Sequence, residues 1–362
     1  MQCAIERIYA MFAAPFNPRP MLVVPCRRPQ PKGLLRLQPE RASGYAFRAL
    51  DVTFSKERLV AYTAEISRTN PSCFLFLIDQ SGSMDEIMNP ESPKALDRPV
   101  LVDGKTYTHT AAGKTKAQAV ADAINRLLQN LIIKCAKSEG VRDYYHVGVI
   151  GYGGSSSAGQ VTPAFVGALA GRELAPISEI ANNPARIEER SKKVDDGAGG
   201  LIDQKIKFPI WFDAIATGGT PMCAALQKAH SVLSGWNAQH PNSFPPICIN
   251  ITDGESTDGN PAQAAEAIKS LSSTDGGALL FNIHITSQGG TAVEYPDNDS
   301  SLADSNAKML FGLSSILPYH MVNIARQEGL PVSEVSRGFA FNADLVSLIR
   351  FLDIGTRPSN LR

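Results

Sequence analysis

The sequence predicts an α/β fold, a three-layer sandwich with a mostly parallel central sheet flanked by helices. Three observations predict it. Cys73–Ile78 is apolar at every position and Ile247–Ile251 nearly so, the pattern of strands buried on both faces. Between them, Val120, Ile124, Leu127, Leu128, Leu131 and Ile132 recur at three and four residues, which lays one apolar stripe along a helix. Strand and helix patterns then alternate to about residue 352, as in sheets whose parallel strands are joined by crossover helices.

The elements follow in order. Residues 1–40 are rich in proline and carry Arg27, Arg28, Lys32 and Arg36, so they are expected to form an arm. β-type stretches over 45–67 predict a hairpin, and 1–69 is an N-terminal extension. The main domain is expected over 70–354, with 355–362 as a tail. Inside it, the strand at 73–78 gives way to the polar loop Asp79–Ser83. A long loop is expected at 85–113, with Pro90, Pro93, Pro99, Gly104 and Gly113, and a helix over 114–137. Val147, Val149 and Tyr152 alternate in the next strand, Gly153–Gly159 turns, and Val161–Leu169 returns. A second long loop is expected at 176–208, its charged cluster from Glu188 to Asp196 lying in solvent. Thr220 is expected to cap a helix that starts at Pro221, with Ala224, Ala225, Leu226, Ala229 and Leu233 inward. Asn260 and Pro261 open another, with Ala264, Ala267, Ile268 and Leu271 inward. A strand at Ala278–Ile285, helices near 302–316 and 318–328, a short strand near 338–341 and a helix over 344–352 complete the chain.

Composition narrows the function classes. Lys plus Arg and Asp plus Glu both number 35, so no basic excess points to nucleic acid, which stays open only for the basic arm at 1–40. The six cysteines form no CxxC pair, which reads as buried free thiols in a reducing compartment. The first residues, with Glu6, Arg7, Asn17, Pro18 and Pro20, make a poor signal peptide, and no run approaches the ~20 apolar residues of a membrane span. A cytoplasmic protein with no membrane contact is expected.

Three loops carry the chemistry. One holds Asp79, Ser81 and Ser83, one Thr220 and one Asp253, each at a strand's C-terminal end or a helix start. Such ends meet at the crevice where open α/β sheets bind ligands. Two carboxylates and three hydroxyls suit a hard cation, Mg2+ first, with Mn2+ or Ca2+ as alternatives. Glycines Gly82, Gly218, Gly219 and Gly254 are expected to let the loops curl and approach. Asp85 and Glu86, just beyond the first loop, read as surface carboxylates.

In these residues the chain resembles the von Willebrand factor A (vWA) family, which includes integrin I domains. The family's Asp-x-Ser-x-Ser motif is matched by Asp79-Gln80-Ser81-Gly82-Ser83. Its metal threonine is matched by Thr220 in Gly218-Gly219-Thr220-Pro221-Met222, and its later aspartate by Asp253 in Ile251-Thr252-Asp253-Gly254. The resemblance covers about 70–352. It implies a metal-ion-dependent adhesion site (MIDAS) whose Mg2+ shell is completed by a glutamate or aspartate of a partner protein, with no turnover. It also implies that partner binding shifts the final helix. Among relatives the chain is similar to bacterial cytoplasmic proteins of the tellurite-resistance TerY type. These imply a stress-response or phage-defence setting beside kinase-like or phosphatase-like proteins. The longer 85–113 segment departs from that pattern.

Three other readings compete. A metal-dependent hydrolase or phosphatase would want a second aspartate where Ser81 stands, and the six histidines show no metal spacing. His284 reads as structural. A nucleotide site at Gly113-Lys114-Thr115 lacks the earlier glycine of a phosphate loop, so Lys114 reads as a solvated charge that starts the helix. A scaffold subunit working with an AAA+ ATPase differs from the binding module in stoichiometry, with 85–113 and 176–208 as its natural interfaces.

Overall fold

β1 (Ser72–Gln80) lies in the interior of an eight-stranded sheet, and its side chains alternate between two cores. Phe74, Phe76 and Ile78 enter one apolar layer, and Cys73, Leu75 and Leu77 the other. The structure is a computed structural model. It describes residues 62–88, 100–102, 105–107, 113–154, 160–195, 201–287, 292–302, 304–343 and 345–356. The arm at 1–40, the hairpin expected over 45–67 as far as residue 61, and the tail from 357 lie outside the described residues.

Across the sheet the order is β9 (Val293–Glu294), β10 (Phe339–Phe341), β8 (Leu279–His284), β7 (Ile247–Thr252), β1, β2 (Tyr145–Gly153) and β3 (Gln160–Pro163). The short β4 (Ala175–Pro176) also pairs with β2. The central pairings β2–β1, β1–β7, β7–β8 and β8–β10 are parallel; β9, β3 and β4 join antiparallel at the margins. Helices α1 (Lys116–Cys135), α2 (Ile177–Asn182), α6 (Tyr319–Gln327) and α7 (Leu345–Thr356) cover the Phe76 face. The Leu75 face is covered by α3 (Met222–Gln239), α4 (Ala262–Ser270) and α5 (Ser305–Leu313). This is the α/β sandwich that the sequence predicts.

α1 begins in a capping box, in which the Thr115 hydroxyl accepts from the Gln118 N–H and the Gln118 side chain accepts from the Thr115 N–H. All six residues of its predicted stripe are buried. At its far end Lys134 Nζ lies 3.2 Å from Asp353 Oδ1 on α7. Lys114 precedes the cap and forms an ion pair with Asp122 instead of standing free in solvent. The 85–113 insertion is closed at its base. Ile87 bridges Thr115, the Met88 N–H donates to the Lys114 carbonyl at 2.9 Å, and the Lys116 N–H donates to the Glu86 carbonyl at 2.9 Å. Within the insertion, Val100–Val102 pairs antiparallel with Lys105–Tyr107.

Several local readings are corrected. The stretch 176–208 is not a long loop: it folds as α2 followed by an antiparallel ribbon, β5 (Arg186–Asp195) with β6 (Leu201–Ile210). Charged residues on its alternating face disguise it. The Arg190 guanidinium sits 3.8 Å over the Phe208 ring and reaches Asp122 of α1 at 2.7 Å, so this charge fastens the ribbon. α3 starts at Met222, one residue after Pro221, and Thr220 is not its cap. The Thr220 N–H is taken by Thr257 Oγ1 at 3.0 Å. The capping carboxylate is Asp258, which accepts from the Cys223 and Ala224 N–H groups at 2.9 Å each. In α4, Ala264, Ala265 and Ile268 are buried and Leu271 packs on the same core just past the helix end, while Ala267 is half-buried. The returning strand β3 stops at Pro163.

Ahead of the sheet, Tyr62–Ile66 packs on the domain. The Thr63 and Ala64 N–H groups donate to Asp275, and Ile66 is buried. Cys73, Cys135 and Cys248 are buried free thiols, and Cys223 is a half-buried one. Among the described residues, no helix is long and apolar enough to cross a membrane.

Candidate metal centre

The end of β1 delivers Asp79 into a fully buried position beside the end of β7. One carboxylate oxygen accepts from the Ser81 N–H at 2.8 Å and the other from the Thr252 hydroxyl at 2.6 Å. The backbone therefore turns directly under the carboxylate, which is what brings Ser81 and Ser83 over it. Burial pushes the Asp79 carboxyl up to about 6; hydrogen bonds from Thr252 and Ser81 oppose the rise and the Asp253 charge adds to it.

Beyond β7, Asp253 joins the same cluster. Ser81 Oγ and Ser83 Oγ lie 3.0 Å apart, and the Ser83 hydroxyl donates to Asp253 Oδ1 at 2.8 Å. Ser83 is exposed, so the cluster opens to solvent. The loop that carries Thr220 is stitched to the first: the Gly82 N–H donates to the Gly218 carbonyl at 3.0 Å, and the Thr217 N–H to the Gln80 carbonyl at 2.7 Å. Gly218 makes this possible. Its φ is +78°, and a Cβ there would meet the Gly154 carbonyl oxygen at 1.4 Å. Gly82 and Gly254 are not needed in that way. Neither has a positive φ, and a Cβ at Gly82 would make only ordinary contacts, with open space at Gly254. Thr220 follows, 5 % exposed, with its carbonyl accepting from the Thr257 N–H at 2.9 Å.

The donor chemistry fits a hard divalent ion. Around Mg2+ at about 2.0–2.1 Å, adjacent octahedral oxygens lie about 3 Å apart. The Ser81–Ser83 and Ser83–Asp253 oxygens stand at hydrogen-bond distance, 3.0 and 2.8 Å, so the fit rests on the kind of donors gathered. Among the described residues no three His, Cys, Asp or Glu side chains gather into a metal-holding group. Here two carboxylates are supplemented by hydroxyls, the donor set for Mg2+ and not for zinc.

The sequence reading missed Lys116, the first residue of α1. Its Nζ lies 2.8 Å from Asp253 Oδ2 and 2.8 Å from Glu86 Oε2, with the lysine side chain 4 % exposed and that of Asp253 0 %. Glu86 is therefore not an idle surface carboxylate. It also accepts from the Ser287 hydroxyl at 2.7 Å, and Lys116 with Ser287 holds its carboxyl below the usual range. A lysine facing inward at a helix N-terminus, where the macrodipole disfavours a cation, was the signal that could have found it. Thr252 was also missed. His284, at the end of β8, is buried, stacked on Phe341 and 3.6 Å from Asp304; desolvation holds it below its ordinary pKa and Asp304 opposes the shift.

No protein-family model matches the chain, and no curated protein does. Among solved structures it is similar to the vWF domain of the type V pili tip protein Mfa5 from Porphyromonas gingivalis, at 12 % identity and a TM-score of 0.24. That match covers 52 % of this chain and 39 % of that one, so the chain spans well under two thirds of the solved protein.

Proposed function

We propose that the chain is a magnesium-dependent protein-binding module. Asp79, Ser81, Ser83, Thr220 and Asp253 would hold the ion, and a glutamate or aspartate of a partner protein would complete the shell. The observation that supports this best is the gathering of the Ser81, Ser83 and Asp253 oxygens beside the buried Asp79, open to solvent at Ser83. When bound, the ion supplies a Lewis-acidic point for an incoming carboxylate. Asp79 and Asp253 balance its charge, while the hydroxyls leave it electrophilic. Mn2+ or Ca2+ are the alternative ions.

Binding is favoured over turnover because the polar groups around the cluster are already engaged. Lys116 and Glu86 pair with each other, and His284 is buried. The resemblance to TerY-type proteins supports proposing a bacterial stress-response or phage-defence setting, with kinase-like or phosphatase-like neighbours or an AAA+ ATPase as candidate partners. The test is capture of partner proteins from a bacterial extract with Mg2+ and with EDTA, using wild type and Asp79→Ala. Capture is expected only for wild type with Mg2+. Equal capture in all four conditions would remove the proposal.

A further inference from the structure

We propose that Lys116 is a built-in cation that sets how tightly this site takes a divalent ion. The inference rests on the metal-binding reading above. Both oxygens of Asp253 are committed: Oδ1 accepts from the Ser83 hydroxyl at 2.8 Å and Oδ2 from Lys116 at 2.8 Å. An ion drawing on Asp253 therefore shares that carboxylate with a fixed positive charge. Neither partner of the pair can relax into water, since their side chains are 4 % and 0 % exposed.

Placement strengthens the argument. Lys116 opens α1, where the helix dipole works against a cation, so it is the anions around it that hold it there. Its backbone is pinned as well, by the N–H donated to the Glu86 carbonyl and by the Ile87–Thr115 bridge. The ammonium thus cannot drift far from Asp253. Glu86 gives it a second resting oxygen, itself fixed by Ser287. Asp79 and Asp253 bring two formal negative charges to the cluster, and the Lys116 ammonium offsets one of them. Without the lysine the same pocket would over-attract the ion. With it, loading stays moderate and therefore reversible, and the loaded site keeps more positive character for an incoming carboxylate.

The experiment is Mg2+ titration by calorimetry on the full chain, with Lys116→Met, Lys116→Arg and Asp79→Ala, alongside thermal unfolding with EDTA or Mg2+. Lys116→Met is expected to bind Mg2+ about tenfold or more tightly than wild type, the scale of removing one like charge at short range. Lys116→Arg should stay near wild type. Lys116→Met should also gain more thermal stability from Mg2+ than wild type does, which a merely structural lysine would not produce. Binding by Lys116→Met alone, with wild type silent, would equally support the inference. Equal or weaker binding by Lys116→Met, with wild-type binding lost in Asp79→Ala, would overturn it and leave the metal reading standing. Absence of binding in wild type and Lys116→Met, or binding untouched by Asp79→Ala, would remove the metal reading and this inference together.

Discussion

Gly218 and His320 show how far a single residue reaches. The loop that carries Thr220 lies against Gly154 so closely that any side chain at Gly218 collides with backbone. Gly218→Ala should therefore displace Thr220, weaken Mg2+ binding in calorimetry and destabilise the protein by about 1–3 kcal/mol. His320 is a pH-dependent element away from the site. Desolvation on α6 pushes its imidazole down to about 4, and Asp275 opposes this. The unfolded chain takes up that proton near the ordinary value while the folded one refuses it, so this stability is present above about pH 6.5 and lost as pH falls toward 4. The difference in thermal midpoint between pH 7 and pH 5 should be smaller in His320→Gln than in wild type. At this scale Asp79, Ser81, Ser83 and Asp253 were legible because a short motif and a strand end announce them. Lys116 and Asp258 were not, because each acts on a partner far along the chain, and a charge's role depends on what it faces.

At the scale of elements, amphipathic helices and doubly apolar strands were readable because burial imprints a period. The ribbon β5–β6 was not, because its alternation carries charges; the Arg190 guanidinium on Phe208 and Asp122 fastens it together with the buried Phe208 and Ile210. The cap of α3 was assigned to Thr220 because capping residues usually sit in sequence beside the helix. Here the carboxylate comes from the loop after β7. Asp258→Ala should cost about 0.5–2 kcal/mol in denaturant unfolding, the usual loss for a helix cap. The insertion offers a second test. Its base is hydrogen-bonded at 86–88 and 114–116, so replacing 90–112 with a short Gly/Ser linker should leave Mg2+ affinity within about twofold of wild type, as loop-length changes cost little when the ends stay closed.

At the scale of the molecule, the sandwich follows from β1, whose two faces feed two separate cores. Phe76→Ala should cost about 3–5 kcal/mol by chemical denaturation, because the side chain is fully buried and neighbouring strands hold the cavity open. Strand order was the part least legible, since nothing in the sequence of β7 says that it will lie beside β1. That adjacency is what brings Asp79 and Asp253 together. The long helix α1 adds a mechanical consequence. It is a rod about 30 Å long, at 1.5 Å per residue, with Lys116 at the cluster and Lys134 touching Asp353 on the last helix. Held at both ends, it is one unbroken span between the cluster and the last helix.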